Sequence, residues 1–384
     1  IISVSSGANL DFWSSNQTHE VNVVLAGGAI LTSSSAASYA TTLNGTVTLN
    51  GLASIGANQG NTVNQRDLVI SGNLVGTGGF NKIGVKSVTL TGTNNIYEGV
   101  TTISAGNLFL NGTHTGGADY SVASGATFGG TGTTDAAVVV NDGGALAPGV
   151  SGIGTLTVQG NTAISGTYTF QIDGTNAVPS ADLLDVTGMV TLGATAVLSL
   201  EELTTGSVTG GETITLILND DTDAVSGIFT GLTEGSTVMD DDFDSYTISY
   251  AGGDGNDIVL FAGAAETEVS FDSGTGVLTI TDINGYNSAD SLTISYDEAN
   301  DEYVISDAAL NMTTSGLTGA NMSRPDARTV RVSGANVTSI VVDTGGNGGG
   351  TDSLTIDVAN GIPAPANGIS FDGGAEIDEL ILID

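Results

Sequence analysis

Short runs of alternating apolar and polar residues recur along most of the chain, and each run stops at Gly, Asn or Asp. Such alternation is typical of β-strands with one buried face, and the stops supply the positive φ that tight turns require. Helical periodicity is almost absent. The chain is therefore expected to fold from many short strands, for example LVISGNL (68–74), SVTLTG (87–92), NLFLNG (107–112), AAVVVNDG (136–143), TLTVQG (155–160) and TYTFQIDG (167–174).

The repetition of these runs predicts a β-solenoid. Stacked strand-and-turn units place small aliphatic side chains in ladders, so the core is narrow and needs few large rings. Hydrophobic residues make up 40% of the 384 residues, whereas aromatic residues make up only 5%. A β-sandwich is the alternative, but it would normally carry larger aromatic side chains and fewer strands.

One stretch, GTGGFNKIGVKSVTLTGTNNIYEGVTTISAGNLFLNG (76–112), resembles the autotransporter-associated β-strand repeat of bacterial surface proteins. Lys86 and Glu98 depart from the pattern, which usually has a small residue and a Gly there. The resemblance extends over about residues 66–262 and implies a right-handed parallel β-helix that is secreted and exposed on the cell surface. It does not define an activity, because that scaffold carries adhesins, proteases and stalks alike. The matching pieces are Gly78-Gly79, Lys82, SVTLTG, NNIYEGVTTI and SAGNLFL.

The last third of the chain differs from the rest. From about Glu266 its strand-like segments are more acidic and lack the repeat, and FAGAAETE (261–268) is a plausible junction. We therefore expect two domains, a β-solenoid over residues 1–262 and a smaller acidic all-β region over residues 263–384. The second consists either of further coils of another type or of a small β-sandwich, and it could serve as an assembly module.

The charge excludes several classes of partner. Asp and Glu number 42 and Lys and Arg only 6, which gives a formal net charge of −36. Nucleic acid requires a basic surface, and an anionic membrane surface would repel the chain. No run approaches the roughly 18 apolar residues of a membrane span. The lack of Cys suits an extracellular location on a bacterial cell surface, and the strand-like start IISVSS suggests a processed or trimmed product.

Three acidic, glycine-rich segments predict calcium binding. GGDGNDIVL (252–260) fits the nonapeptide calcium repeat, and residues 343–357 and 371–384 are looser relatives. Calcium prefers several hard oxygen ligands, which Asp-rich loops offer, although a plain glycine-rich turn explains each segment equally well. The runs DDTDAV (220–225) and MDDDFD (239–244) are either solvated loops or further cation sites. The candidate ligands are Asp254, Asp257, Asp343, Asp352, Asp372 and Asp378.

The sequence contains few residues in recognisable catalytic motifs, and we expect no enzymatic activity. The two histidines, His19 and His114, lie in no catalytic motif, and His114 is expected to be exposed in a turn. A polysaccharide lyase is a minor alternative, which would need a basic residue beside acidic calcium ligands. The basic residues of the repeat region are Arg66, Lys82 and Lys86, and both lysines fall where the repeat places a turn.

Two features instead indicate self-assembly. SRPDARTVR contains three of the basic residues, which either pair internally with nearby Asp or dock an acidic patch on a neighbouring copy. The segments IISVSS and DELILID are apolar strands without a capping helix, so a strand added from another subunit would satisfy their edges. The expected interface residues are Ile1, Ile2, Val4, Arg324, Arg328, Arg331, Leu380, Ile381, Leu382 and Ile383.

The sequence thus favours a secreted structural protein, the protomer of a bacterial extracellular filament or surface layer. Its partners would be copies of itself, added head-to-tail by strand addition, with calcium neutralising part of the acidic charge. The alternative is an adhesin passenger domain that binds surface or host glycans. We expect neither nucleic-acid binding nor membrane insertion.

Overall fold

The computed structural model describes residues 1–13, 17–34, 40–57, 66–149, 152–174, 180–204, 212–220, 223–239, 245–263, 266–283, 289–317, 321–345, 351–375 and 377–384. Within these ranges every named element of secondary structure is a β-strand, as the alternation predicts. No helix that could cross a membrane occurs in the described part of the chain.

The chain divides into two compact units. Unit 1 contains residues 1–172, 180–203 and 217–230, and unit 2 contains residues 173–179, 204–216 and 231–384. Residues 231–262, which the sequence places with the solenoid, therefore lie in unit 2.

The first 28 strands build mainly unit 1. Their bounds are β1 Ile2–Val4, β2 Asn9–Trp13, β3 Thr18–His19, β4 Val23–Leu25, β5 Ile30–Ser34, β6 Thr41–Leu43, β7 Val47–Leu49, β8 Ala53–Ala57, β9 Leu68–Ile70, β10 Leu74–Val75, β11 Phe80–Ile83, β12 Val88–Leu90, β13 Thr101–Ile103, β14 Gly106–Leu110, β15 Thr113–His114, β16 Tyr120–Val122, β17 Ala126–Gly130, β18 Thr133–Thr134, β19 Val138–Val140, β20 Ala145–Pro148, β21 Thr155–Val158, β22 Thr162–Ile164, β23 Thr167–Asp173, β24 Ser180–Ala181, β25 Leu183–Val186, β26 Val190–Leu192, β27 Val197–Thr204 and β28 Thr213–Asn219.

Successive strands of unit 1 pass in turn to different sheets, and the neighbours from β1 to β23 in these sheets pair in parallel. One sheet runs β1-β4-β7-β10, a second runs β2-β5-β8-β11-β13-β16-β19-β22-β26, and a third runs from β3 through β6, β9, β12, β14, β17 and β20 to β23 and β24. Later in the unit, β15, β18, β21 and β25 form a fourth series. Parallel neighbours need a crossover, and here the crossover is formed by the strands of the other sheets.

The register of these sheets stacks apolar side chains of one strand on apolar side chains of the next. In the third sheet Leu68, Val88, Leu108 and Phe128 are consecutive partners, and all four are fully buried. Their side chains form a ladder of the kind that the aliphatic composition predicts. Burial of each such side chain stabilises the fold by about 1.5–3 kcal/mol relative to an exposed position.

A column of glycines marks one corner of the repeat. A Cβ at Gly72, Gly112 or Gly132 would overlap the carbonyl oxygen of the preceding glycine of the column, which is Gly45, Gly92 or Gly112 respectively. The backbones of consecutive repeats therefore approach too closely here for any side chain. From Gly72 to Gly132 the period is 20 residues, as in the hydrogen bond from the Thr131 N–H to Asn111, whereas Gly45 and Gly72 are 27 residues apart.

The remaining strands build unit 2. Their bounds are β29 Thr237–Met239, β30 Ser245–Gly252, β31 Asp257–Ala262, β32 Thr267–Asp272, β33 Val277–Asp282, β34 Ser291–Asp297, β35 Glu302–Asp307, β36 Met312–Ser315, β37 Met322–Asp326, β38 Thr329–Ser333, β39 Ser339–Asp343, β40 Ser353–Asp357, β41 Ile369–Asp372 and β42 Glu379–Ile383.

Unit 2 combines hairpins with parallel pairs. The pairs β30–β31, β32–β33 and β34–β35 are antiparallel, whereas β39 and β41 continue in parallel from β33, and β40 and β42 continue in parallel from β34. One hydrophobic core takes side chains from both series, including Leu278, Ile340, Leu292 and Leu354.

Candidate functional site

The last strands of unit 2 form three stacked layers. The first layer is β33 with β34, the second is β39 with β40, and the third, which we call the C-terminal rung, is β41 with β42. Register is direct, because Ile340 pairs with Leu278 and with Ile369, and Leu354 pairs with Leu292 and with Leu380. A repeated sequence produces this stacking, Asp-Ser-Leu-Thr-Ile at 290–294 and 352–356 and Asp-Glu-Leu-Ile-Leu at 378–382.

The core of these layers is uncovered at the C-terminal rung. In the column of Leu292, Leu354 and Leu380 the exposed fraction is 1%, 0% and 65%. Leu382, which pairs with Ile356, is 73% exposed. Each of these side chains occupies a core position by register, yet the last member of each column is exposed. The C-terminal rung therefore presents an apolar surface that one more layer would bury.

Strand β42 is apolar on both faces. Ile381 and Ile383 alternate with Leu380 and Leu382; Ile381 is half-buried and Ile383 is 45% exposed. Parallel strands with such continuous apolar runs are normally buried on both sides. Both strands of the C-terminal rung also lie at the edge of their sheets, where main-chain N–H and C=O groups offer the next strand its hydrogen bonds.

An aspartate ladder runs through the layers at the start of β34, β40 and β42. The N–H of Asp290 donates to Oδ1 of Asp352, and the N–H of Asp352 donates to Oδ1 of Asp378, both at 3.0 Å. Asp352 and Asp378 thus each accept a hydrogen bond from the counterpart in the layer before them. The ladder fixes the register of the three layers.

Burial alters the acidity of this ladder. Asp290 is 1% exposed, and burial, together with the charge of Asp282, raises its pKa to about 7. Burial also raises the pKa of Asp352. The Oδ1 atom of Asp290 accepts from the Thr267 hydroxyl at 3.1 Å. Stacked carboxyl groups with raised pKa values retain protons more readily than surface aspartates.

The other predicted calcium ligands of this region lie in a second column. Asp343 and Asp372 are register partners at the ends of β39 and β41. Each accepts the N–H two residues ahead, Gly345 at 3.3 Å and Gly374 at 3.2 Å, so each begins a tight turn. No three or more acidic or His side chains of the described residues are grouped to hold a metal ion.

The nonapeptide-like segment forms a hairpin turn. It joins the antiparallel strands β30 and β31, with Gly252 opposite Asp257. Asp254 is exposed, whereas Asp257 is only 5% exposed. The calcium repeat passes its ligands between consecutive parallel turns, whereas a hairpin returns the chain onto itself. Of the two acidic runs, residues 221–222 and 240–244 lie outside the described residues.

Arg324 lies in the core and not on a docking surface. It is fully buried, its guanidinium carbon lies 4.1 Å from the centre of the Phe261 ring, and Nη1 lies 3.7 Å from Glu234 Oε1. Nη2 also donates to the Met312 carbonyl. An arginine in this position cannot contact a neighbouring copy. Arg324 is therefore not part of the exposed basic patch that the sequence predicts. Glu234 is distant in sequence, and no local pattern indicated it.

The other two arginines are nearer the surface. Arg331 lies between two carboxylates of its own unit, with Nη1 at 3.5 Å from Asp297 and 3.3 Å from Glu302. The main-chain N–H of Arg328 donates to Asp326 at 2.8 Å. Arg331 thus follows the internal pairing that the sequence left open as an alternative.

The N-terminal edge is more closed than the C-terminal one. Ile1 is 86% exposed and Ile2 is 36% exposed, but Val4 is buried. In the same part of the chain the rings of Phe12 and His19 pack at 4.7 Å between centroids. Of the predicted interface residues, Leu380 and Leu382 therefore expose the most core-facing apolar surface.

Two basic residues expected in turns are buried in unit 1. His114 is fully buried, stacks on Tyr97 at 4.0 Å and has Nδ1 at 2.8 Å from the Tyr120 hydroxyl, so its expected exposure is wrong. Lys82 is also fully buried and donates to the Gly84 carbonyl at 2.7 Å. Burial lowers the pKa of Lys82 to about 8 and lowers the pKa of His114. Both side chains are therefore packed and hydrogen-bonded in the interior of unit 1.

The stacked layers, their uncovered apolar columns and the aspartate ladder are together suited to adding a further strand layer. In comparisons with known proteins, no family model matches the chain, and no curated protein shows significant sequence similarity to it.

Proposed function

We propose that the chain is a structural protein of the bacterial cell exterior that assembles with copies of itself through the C-terminal rung. Within this proposal unit 1 is a right-handed β-solenoid, supported by its parallel sheets and its stacked side-chain ladders. The chain turns over no substrate. Its work is to extend an assembly such as a filament or a surface layer.

The observation that carries the proposal is the exposure of core-facing leucines at β42. An added strand would cover Leu380 and Leu382 and pair with the free edge of the sheet. Covering each leucine contributes about 1.5–3 kcal/mol, and main-chain hydrogen bonds add specificity. These terms must exceed the cost of lost translational and rotational freedom, which is about 4–15 kcal/mol.

The occupant that we propose is the N-terminal strand of a second copy. Strand β1 is the outermost strand of its sheet, and the side chains of Ile1 and Ile2 are exposed beside it. Pairing of β42 with β1 of the next copy is head-to-tail, so it leaves one donor and one acceptor edge at every step. A contact of this kind builds an open filament.

In this proposal calcium acts by neutralising part of the negative charge. Copies with a net charge of −36 repel one another, and the acidic turns at Asp372 in the C-terminal rung and at Asp343 in the layer before it add to that charge near the rung. Divalent cations would lower this repulsion by neutralising carboxylates. Since the described residues contain no grouped ligand set, the proposed effect is on the summed charge and not on a single coordinated ion.

The test compares two charge-introducing variants with a matched control. Leu382→Asp and Ile2→Asp alter the two edges, while Val85→Asp alters a side chain that is 69% exposed between β11 and β12. Analytical ultracentrifugation and negative-stain electron microscopy of the full chain would measure assembly. We expect wild type and Val85→Asp to form filaments and both edge variants to remain monomeric.

Other outcomes would overturn the proposal in distinguishable ways. Wild type that stays monomeric at all salt concentrations would exclude self-assembly and leave β42 to another occupant, such as a different protein or a following segment of a longer chain. Loss of assembly in Leu382→Asp alone would replace head-to-tail pairing by contact between two C-terminal rungs.

A further inference from the structure

A groove on the outer face of the third sheet of unit 1 combines an aromatic ring with uncharged polar groups. Strand β14 directs Leu108 and Leu110 into the core and Asn107 and Phe109 outward. The partner of Phe109 on β17 is Gly129, and the partner of Gly129 on β20 is Ala147. The absence of large side chains at these two positions leaves a depression beside the Phe109 ring.

The backbone itself requires this depression. A Cβ at residue 129 would overlap the carbonyl oxygen of Ala147, so only glycine fits there. The ring of Phe109 approaches that position to 3.6 Å from its Cδ1 atom. Phe109 is half-buried, in a sheet whose other outward side chains here are Asn, Thr, Ala and Gln.

The far wall of the groove is polar. Thr169 and Gln171 point outward from β23, and Nε2 of Gln171 donates to Oε2 of Glu201 at 3.2 Å. Below them Asp182 is 1% exposed and accepts the N–H of Gly154 at 2.8 Å and the N–H of Gln171 at 3.1 Å. The buried carboxylate thus fixes the main chain that carries Gln171.

The groove encloses about 190 Å³ between these walls. Three strand spacings separate β14 from β23, which corresponds to roughly 14 Å across the sheet. Its near wall is Phe109 with Asn107, its floor is Ala147, and its far wall is Thr169, Gln171 and Glu201. A single sugar ring is narrower than this, so two linked sugar rings would contact both walls, one packing an apolar face on Phe109 and the other offering hydroxyl groups to the far wall.

We propose that this groove binds two linked units of a neutral saccharide. A sugar ring has apolar C–H groups that pack on an aromatic ring, and hydroxyls that both donate and accept hydrogen bonds. Amide, hydroxyl and carboxylate groups at Asn107, Thr169, Gln171 and Glu201 match that mixture. Acidic saccharides, sulfate and phosphate groups are disfavoured because the groove carries carboxylates and no cation lines it.

The groove contains none of the residues of β1 or β42 that the proposed assembly uses, so the two proposals can be tested separately. A structural role for Phe109, covering Gly129 as aromatic side chains cover glycines in sheets, is the competing explanation. The two explanations differ in one measurable respect. A ring that only covers Gly129 can be replaced by Leu without any effect on a ligand.

The experiment is isothermal titration calorimetry of the full chain with neutral hexasaccharides of glucose, mannose and N-acetylglucosamine. A hexamer of galacturonic acid serves as the acidic counterpart. The variants are Phe109→Leu, which retains an apolar cover over Gly129, and Glu201→Gln, which alters an exposed side chain. Val139→Ala, on β19 of a different sheet, is the matched control.

We expect at least one neutral hexasaccharide to bind, and roughly two- to tenfold weaker binding in Phe109→Leu, since loss of an aromatic contact removes about 0.5–1.5 kcal/mol. Glu201→Gln should weaken binding as well, and Val139→Ala should bind as wild type does. Absence of binding at millimolar concentrations, equal binding by Phe109→Leu and wild type, or preference for the acidic hexamer would each overturn the proposal.

Discussion

Asp290 is a carboxyl group whose chemistry is set by its surroundings. Its side chain is 1% exposed, and its Oδ2 atom has no hydrogen-bond partner among the described residues. Burial and the neighbouring charge of Asp282 raise its pKa to about 7. Ionisation of this group therefore costs more free energy in the folded state than in the unfolded state.

The sign of the resulting pH dependence can be tested with Asp290→Asn. Because the pKa is higher in the folded than in the unfolded state, the folded state binds the proton more tightly, and stability falls as pH rises from about 4 to about 7. The loss in the free energy of unfolding reaches up to about 4 kcal/mol. Urea unfolding at pH 5 and pH 8 should show a smaller pH difference in Asp290→Asn than in wild type.

Asp119→Asn, which alters an exposed carboxylate of unit 1, is the control and should retain the wild-type pH difference. Equal pH differences in all three proteins would contradict the assignment to Asp290.

The burial of single polar residues could not be predicted from the sequence. His114 stands in NGTHTGG, which is turn-like locally, but its ring packs between Tyr97, 17 residues earlier in the chain, and Tyr120 of β16. Arg324 stands in a charged segment, and its partners Phe261 and Glu234 are remote in the chain. In both cases the deciding contact is long-range, whereas the sequence pattern reports only neighbours.

At the scale of the elements, the glycine column limits which substitutions a strand corner accepts. Gly112→Ala should destabilise unit 1 by about 1–3 kcal/mol or more, since its Cβ would overlap the Gly92 carbonyl oxygen in a backbone that cannot move independently. Gly152→Ala is the matched control, because nothing lies within 4 Å of its Cβ position. Guanidinium unfolding should separate the two variants, and equal midpoints would contradict the close approach.

The strands themselves follow from the alternation, but their partners do not. GGDGNDIVL indicates a turn before a strand in either a calcium repeat or a hairpin, and only the antiparallel pairing of β30 with β31 distinguishes them. The recurrence of Asp-Ser-Leu-Thr-Ile at 290–294 and 352–356 was visible in the sequence. Its meaning as stacked layers was not, because the intervening segments contain further strands and differ in length.

At the scale of the whole molecule, the net charge of −36 opposes contact between copies. The screening length falls from about 30 Å at 0.01 M salt to about 8 Å at 0.15 M. Assembly through the C-terminal rung should therefore increase over this range of sodium chloride, as measured by light scattering. Millimolar calcium should lower the salt that is required, and assembly that weakens with salt would contradict an apolar contact between like-charged copies.

The fold class was predictable because it depends on features that every strand shares. Alternation and glycine stops follow from short strands with one buried face, and the all-β architecture of unit 1, with its parallel sheets, confirms that part of the prediction. The extent of each compact unit depends on packing between distant segments. Residues 231–262 carry the same alternation as unit 1 and yet belong to unit 2.

The glycine column also has a consequence for how such a chain can change in length. Because Gly92, Gly112 and Gly132 stand at a fixed period of 20 residues, duplication or loss of one whole period in the gene would return every later glycine to the column. An insertion of a few codons within a strand would instead misalign the column and the ladders together. This part of unit 1, from Gly72 to Gly132, can therefore change in length by whole repeats.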